Sequence, residues 1–389
     1  MSGRVRGAIV VLLAALALVS GCARFADDPS GAWHDKPDLG AEHAPQPDLP
    51  ETGEPSAPPA SPGAGGQPTP APCVDPDPQV VATCLGAVSA VVTLPDSPAA
   101  LVAERTTGRI LRVAPDQPPQ TVATIPVDAT GDGGLTGLAL SPSYAEDQLV
   151  YAYATVAGGN ALLKVAAGDT PKPVVAGIPR GATGNRGAVG VEPDGTLLVA
   201  TGDAGDATAA ASPTSLAGKL LRVDPFGRPV PANPDPTSPV VGTGLHSPGD
   251  VCGDPTSRTT WVTDRAGARD VLLSVRPGVA PGAAAAATPG WTWPDRPGVT
   301  GCAVASGTLV VSLTGAAGLF VLHPTPEGTF VGPPETVLQN TYGRFSGADV
   351  GSDGLIWVGT ANKDGGTPTP TDDRVIRIRP PSGGASGAE

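Results

Sequence analysis

Pro193-Asp194-Gly195-Thr196-Leu197-Leu198-Val199-Ala200-Thr201-Gly202-Asp203 decides the fold. An Asp-Gly turn hands the chain to a short apolar run, and a glycine ends the run. The same kind of run recurs at Leu309-Val310-Val311-Ser312 and at Leu355-Ile356-Trp357-Val358. The turns align at Pro95, Pro142, Pro193, Pro255, Ala305 and Ser352, at spacings of 47, 51, 62, 50 and 47 residues. A second element follows in several units, at Thr107–Val113, Gly218–Val223 and Arg374–Ile378. A period near 50 with several short strands per unit predicts an all-β fold, a six-bladed β-propeller over residues 73–381. No segment holds a 3.6-residue apolar period over three turns. Ala283–Ala287 lies between Pro281 and Pro289 and reads as a loop.

Composition agrees. The 389 residues include 53 glycines and 47 prolines, which favours turns over long helices. A net charge of −13 argues against nucleic acid as a partner, since that needs a basic surface.

The N-terminus sets location. Arg4 and Arg6 precede an uncharged apolar run of 12 residues, Ala8–Val19. That is too short for a stable span, which takes ~20 residues. It suits a signal peptide over residues 1–21. Val19-Ser20-Gly21-Cys22 is a lipobox pattern, so we expect Cys22 to carry lipid, palmitate included, and to anchor the chain at the cell membrane on its extracytoplasmic side. Residues 23–72 hold twelve prolines and no apolar period, and read with Cys22 as a disordered tether over 22–72. Residues 382–389 read as a disordered tail. Of five cysteines, Cys22 is the odd one, which leaves four for two disulfides in an oxidising compartment. Of the three pairings open to them, we expect Cys73–Cys84 and Cys252–Cys302. No CxxC pair or Cys/His cluster suggests zinc.

Five stretches together resemble a known family. They are Glu104-Arg105-Thr106-Thr107-Gly108-Arg109, Gly134-Leu135-Thr136-Gly137-Leu138-Ala139, the Pro193–Asp203 stretch, Leu216-Ala217-Gly218-Lys219-Leu220-Leu221-Arg222-Val223-Asp224-Pro225, and Trp293-Pro294. The chain is similar across this whole domain to the soluble PQQ-dependent glucose/sorbosone dehydrogenases. That resemblance implies a six-bladed propeller with PQQ lying flat over the channel mouth beside calcium. It also implies a histidine general base in an HxGGxL segment.

The site residues depart from the pattern. Gly184-Asn185-Arg186-Gly187-Ala188-Val189 aligns with HxGGxL, so Gly184 stands where the base belongs. His246 replaces an arginine of the family, Thr314 a lysine and Ser346 a second arginine, while Arg344 is kept. Asp264 is the shifted survivor of a cofactor and calcium segment. Loss of cationic partners weakens a site for the three carboxylates of PQQ. The candidate ligand residues are therefore Arg186, His246, Asp264 and Arg344, with His246 either a base at the mouth or a hydrogen-bonded loop residue. The expectation is a divergent or non-catalytic binder of a carbohydrate, an envelope component or a protein. The alternative is a PQQ-dependent sugar oxidoreductase with a rebuilt site.

Overall fold

The computed structural model describes residues 73–254, 256–275 and 289–381. The signal peptide, Cys22, the tether, the 283–287 loop and the tail lie outside the described residues. Among the described residues no helix is long and apolar enough to cross a membrane.

The chain opens with β1 (Val80–Ala82), which joins the last blade. Blade 1 is β2 (Val88–Thr93), β3 (Ala100–Glu104), β4 (Arg109–Ala114) and β5 (Gln117–Thr124). Blade 2 is β6 (Leu135–Leu140), β7 (Val150–Val156), β8 (Gly159–Val165) and β9 (Lys172–Ile178). Blade 3 is β10 (Gly187–Val191), β11 (Leu197–Thr201), β12 (Lys219–Val223) and β13 (Val240–Thr243). Blade 4 is β14 (Pro248–Gly253), β15 (Thr260–Ala266), β16 (Arg269–Val275) and β17 (Trp291–Trp293). Blade 5 is β18 (Val299–Ala305), β19 (Thr308–Leu313), β20 (Gly318–Pro324) and β21 (Phe330–Val337). Blade 6 is β22 (Phe345–Val350), β23 (Ile356–Thr360), β24 (Val375–Ile378) and β1. Each blade is a four-stranded antiparallel sheet, and together they make the six-bladed propeller that the 50-residue repeat predicts.

Burial explains the strand composition. β3 and β23 are buried at every position, because both faces of a second strand pack against neighbouring blades. Their sequences are therefore continuous rather than alternating apolar runs. Trp357 of β23 packs with Val88, Val102 and Leu111, filling the seam between blades 6 and 1. The outermost strands of blades 1 and 5 are largely exposed and tolerate proline, which has no N–H for a further ladder and blunts the open edge. β5 carries Pro118 and Pro119, and β21 carries Pro333 and Pro334.

Closure is double. β1 pairs with β24, Val80 opposite Ile376 and Ala82 opposite Val375. Asp75 binds the Arg374 guanidinium at 2.6 Å. The Cys73–Cys84 disulfide spans β1, with Cα atoms 5.7 Å apart. Cys252 and Cys302, 5.8 Å apart at Cα, tie inner strands β14 and β18 of adjacent blades. Both expected pairings are present. Two short helices were not foreseen, α1 (Tyr144–Asp147) and α2 (Ala207–Ala211). The Asp206 side chain caps α2 by accepting from the Thr208 and Ala209 amides, a start signal legible in the sequence.

Hydroxyls on the inner strands stitch the blades around the axis. Ser89 donates to the Leu135 carbonyl at 2.6 Å and Thr136 to the Gly187 carbonyl at 2.8 Å. Carboxylates do the same at the far end of the channel. Asp250 accepts from the Cys302 amide at 3.0 Å, and Asp349 accepts from the Thr93 amide at 2.7 Å and its hydroxyl at 2.9 Å. They face a cavity of about 460 Å³ walled by Val91, Leu138 and Val189.

Burial pushes Asp250 up to about 7, with the nearby Asp349 charge adding to it. A carboxyl raised this way stabilises the fold in its protonated form. The contribution is complete below the unfolded-chain value near 3.8 and is lost as pH rises through about 7. Because the group faces the open channel, we expect only about 1–2 kcal/mol more stability at pH 5 than at pH 8. Asp250→Asn should flatten that slope whatever it does to absolute stability. Urea unfolding across the range decides it, and an unchanged slope in the variant removes Asp250 as its source.

Candidate functional site

The opposite end of the channel is cationic. A cavity of about 170 Å³ there is lined by Arg105, Arg186, Arg265 and Arg344, together with Asp132, Asp364, Thr314 and Ser346. Four guanidiniums against two carboxylates leave an excess of positive charge in a chain that is acidic as a whole.

The four arginines reach the mouth from well-separated parts of the chain. Arg105 follows β3. Its Nε and Nη2 donate to Asp364 at 2.6 and 2.7 Å, and its Nη1 donates to the Gly133 carbonyl at 2.5 Å. This bidentate pair consumes both partners' charge. Asp132 accepts from the Gly184 amide at 2.9 Å and the Asn185 amide at 3.1 Å. It thereby holds the turn that delivers Arg186. Arg265, at the end of β15, donates from Nε to the Val299 carbonyl at 3.0 Å.

Three of the four arginines keep unneutralised charge. Among the described residues Arg186, Arg265 and Arg344 have no carboxylate within 4.0 Å. Arg186 is 9% exposed, and its Nε has no hydrogen-bond partner; nor do the buried Nε of Arg344 and the buried hydroxyl of Ser346. Burial, and then the charges of Arg265 and Arg105, pull the Arg186 pKa down to about 10, so it stays protonated at neutral pH. Burial also lowers Arg265, with Arg344 adding to it.

The other two candidates stand apart from the cavity lining. Asp264 is buried, and its carboxylate accepts from the His246 amide at 3.1 Å and the Ser247 amide at 2.8 Å. Burial raises its pKa in spite of those amides. It fastens the loop before β14. His246 is half-buried beside Gly267, and its Nδ1 has no partner. Its carbonyl accepts from the Asp203 amide at 2.9 Å, and His246 is not among the residues that line the cavity, although its neighbour Ser247 is. So Arg186 and Arg344 come together, while His246 and Asp264 do not join them. Arg105 and Arg265 were missed as site residues, although Arg105 lies in the first of the five family stretches and Arg265 follows the candidate Asp264. Each is the immediate neighbour of a conspicuous acid, Glu104 or Asp264.

The recurrent motifs themselves are scaffold. Glu104 is held by Arg109 at 2.7 Å and by the Gly86 amide at 2.6 Å. Lys219 is buried with its ammonium on the carbonyls of Ala209, Ala210 and Ala217, and burial lowers its pKa to about 8. Arg222 pairs with Glu192 at 2.5 Å.

A family pattern described as glucose/sorbosone dehydrogenase matches residues 87–270. Among solved structures, the chain is similar to the PQQ-bound aldose sugar dehydrogenase of Streptomyces coelicolor. They share 30% identity over 77% of this chain and 96% of that one, with a TM-score of 0.71. The chain belongs to the glucose/sorbosone dehydrogenase family. A Thermus thermophilus protein described as an oxidoreductase (glucose dehydrogenase) is similar at 31% identity over 77% of this chain and 98% of that one, TM-score 0.68. The soluble aldose sugar dehydrogenase of Escherichia coli, at 18% identity and TM-score 0.66, shares the fold. Among curated proteins no sequence relative matches.

The residues of this family member do not fit the cofactor pair that the resemblance implies. A pocket enclosing a drug-sized ligand runs to about 300 Å³ or more, and the arginine mouth holds about 170 Å³. Among the described residues no group of three or more His, Cys, Asp or Glu side chains is placed to hold a metal ion. Position 184 cannot supply the base either. A Cβ on Gly184 would lie 2.2 Å from Asp203 Oδ1, and its φ is +71°.

Proposed function

We propose that this family member is an extracytoplasmic binding protein, anchored at the membrane through Cys22, whose propeller takes an anionic ligand at the arginine mouth and does not oxidise sugars. The observation that carries the reading is the set of three buried or half-buried guanidiniums without carboxylate partners at the channel mouth. Unpaired buried charge is costly, and an anion that pairs with it recovers much of that cost. Arginine's planar fork suits carboxylate and phosphate. The missing base at Gly184 supports the non-catalytic half of the reading. Carbohydrate, envelope component or protein remain the classes that present such an anion outside the cytoplasm.

A second reading, a PQQ-dependent sugar oxidoreductase with a rebuilt site, is favoured by the 30% identity to a PQQ-bound dehydrogenase. The purified full-length chain, supplied with PQQ and calcium, separates the two. We expect no glucose-dependent dye reduction. Turnover above the protein-free rate would establish the oxidoreductase instead.

A further inference from the structure

Arg186 aligns with the first glycine of the HxGGxL segment, one residue before Gly187. A glycine leaves the mouth open there, whereas a guanidinium fills it. Asp132 fixes the preceding turn by accepting from the Gly184 and Asn185 amides at 2.9 and 3.1 Å, so the chain delivers the side chain to the mouth. Arg186 is 9% exposed and lines a remaining space of about 170 Å³.

We infer that Arg186 stands in the place of the flat tricarboxylate cofactor, and that the remaining space takes one oxyanion group, a carboxylate or a phosphate, against Arg186, Arg344 and Ser346. This rests on the anion-binding reading above and names its ligand chemistry. Three donors in the lining lack partners: Nε of Arg186, Nε of Arg344 and the hydroxyl of Ser346. Among the described residues neither Arg186 nor Arg344 has a carboxylate within 4.0 Å, and one oxyanion in the space that both line offsets the two charges together. The two carboxylates of the mouth do not meet this need. Asp364 is taken by Arg105, and Asp132 by the 184–185 turn. The space suits one such group at the end of a larger molecule better than a rigid three-ring plane.

Calorimetry on the purified full-length chain tests this with sodium glucuronate, inorganic phosphate and glucose, then with PQQ plus calcium, for wild type, Arg186→Gly and Arg344→Ala. The wild type is expected to bind glucuronate or phosphate but neither glucose nor PQQ. The tighter of the two anions shows whether the group is a carboxylate or a phosphate. Arg186→Gly should weaken that anion about tenfold or more and admit PQQ at least tenfold more tightly than wild type. Arg344→Ala should weaken the anion by a similar factor while still excluding PQQ, and it keeps the test open if the glycine variant does not fold. If wild type binds the anions but folded Arg186→Gly keeps wild-type anion affinity or still excludes PQQ, the inference fails and the anion-binding reading stands. If no anion binds folded wild type, the reading itself fails.

Discussion

Gly301→Val is expected to leave no folded propeller. Gly301 lies in β18, where the inner strands of blades 5 and 6 converge on the axis. A Cβ there would sit 2.2 Å from the Ser346 carbonyl oxygen and 2.6 Å from the Ala348 amide nitrogen. Both are backbone atoms of β22, so no rotamer change relieves the overlap. The blades themselves must part, which opens the hydroxyl and carboxylate links between inner strands. The same closeness recurs around the ring. A Cβ on Gly249 would come 2.6 Å from Thr300 Cα, and one on Gly347 would come 2.5 Å from Ala90 Cα. Overpacking against immovable backbone lies at the costly end of substitutions, and we expect a loss of more than about 4 kcal/mol. Gly253→Ala, in β14 with nothing within 4 Å of the added Cβ, is the control and should stay within about 1 kcal/mol of wild type. Urea midpoints and soluble yield compare them. A Gly301→Val protein that unfolds alongside the control would show that the inner ring can expand.

Those glycines show why the fold was legible and the site was not. A blade repeats because each second strand is buried on both faces and bounded by tight turns. Gly195, with φ +82°, makes one such turn, and Leu197–Thr201 follows with every residue buried. Position along the chain then maps onto position around the axis, and a simple spacing reveals six blades. Disulfide placement follows from the same map, since Cys252 and Cys302 fall on neighbouring inner strands. The mouth has no such period. Arg105 meets Asp364 across 259 residues of chain, where blades 1 and 6 close the ring. Arg265 touches blade 5 through the Val299 carbonyl. Nothing local to either arginine says that it points at the axis. His246 and Asp264 stand outside the cavity lining for the converse reason. They occupy positions that align with cofactor residues, but Asp264 is taken by the 246 and 247 amides, and the His246 carbonyl ties its loop to the Asp203 amide. Arg186 and Arg344 from two of the aligned segments do line one cavity, and the side chains around them depart from the family pattern.

Gly184→His, which restores the family's histidine at its aligned position, is expected to damage the protein without producing a sugar dehydrogenase. The backbone at Gly184 has φ +71°, a left-handed conformation that costs a residue with a Cβ of order 1–2 kcal/mol. The new Cβ would lie 2.2 Å from Asp203 Oδ1 and 2.8 Å from the Ala204 amide nitrogen. Asp203 cannot simply swing away, because that same oxygen accepts from the Gly205 amide at 2.8 Å. The turn is also gripped from the other side, by Asp132 on the 184 and 185 amides. Strain and overlap together predict a loss of about 3 kcal/mol, read as a fall in the urea midpoint. Activity should stay absent because the histidine would start from a turn that has closed around glycine, and because Arg186 still stands two residues on in the mouth. The loss of the base is thus built into the backbone of this family member, beyond the identity of one side chain. Glucose-dependent dye reduction by folded Gly184→His with PQQ and calcium would overturn this, and would mean that the dehydrogenase site lies one substitution away.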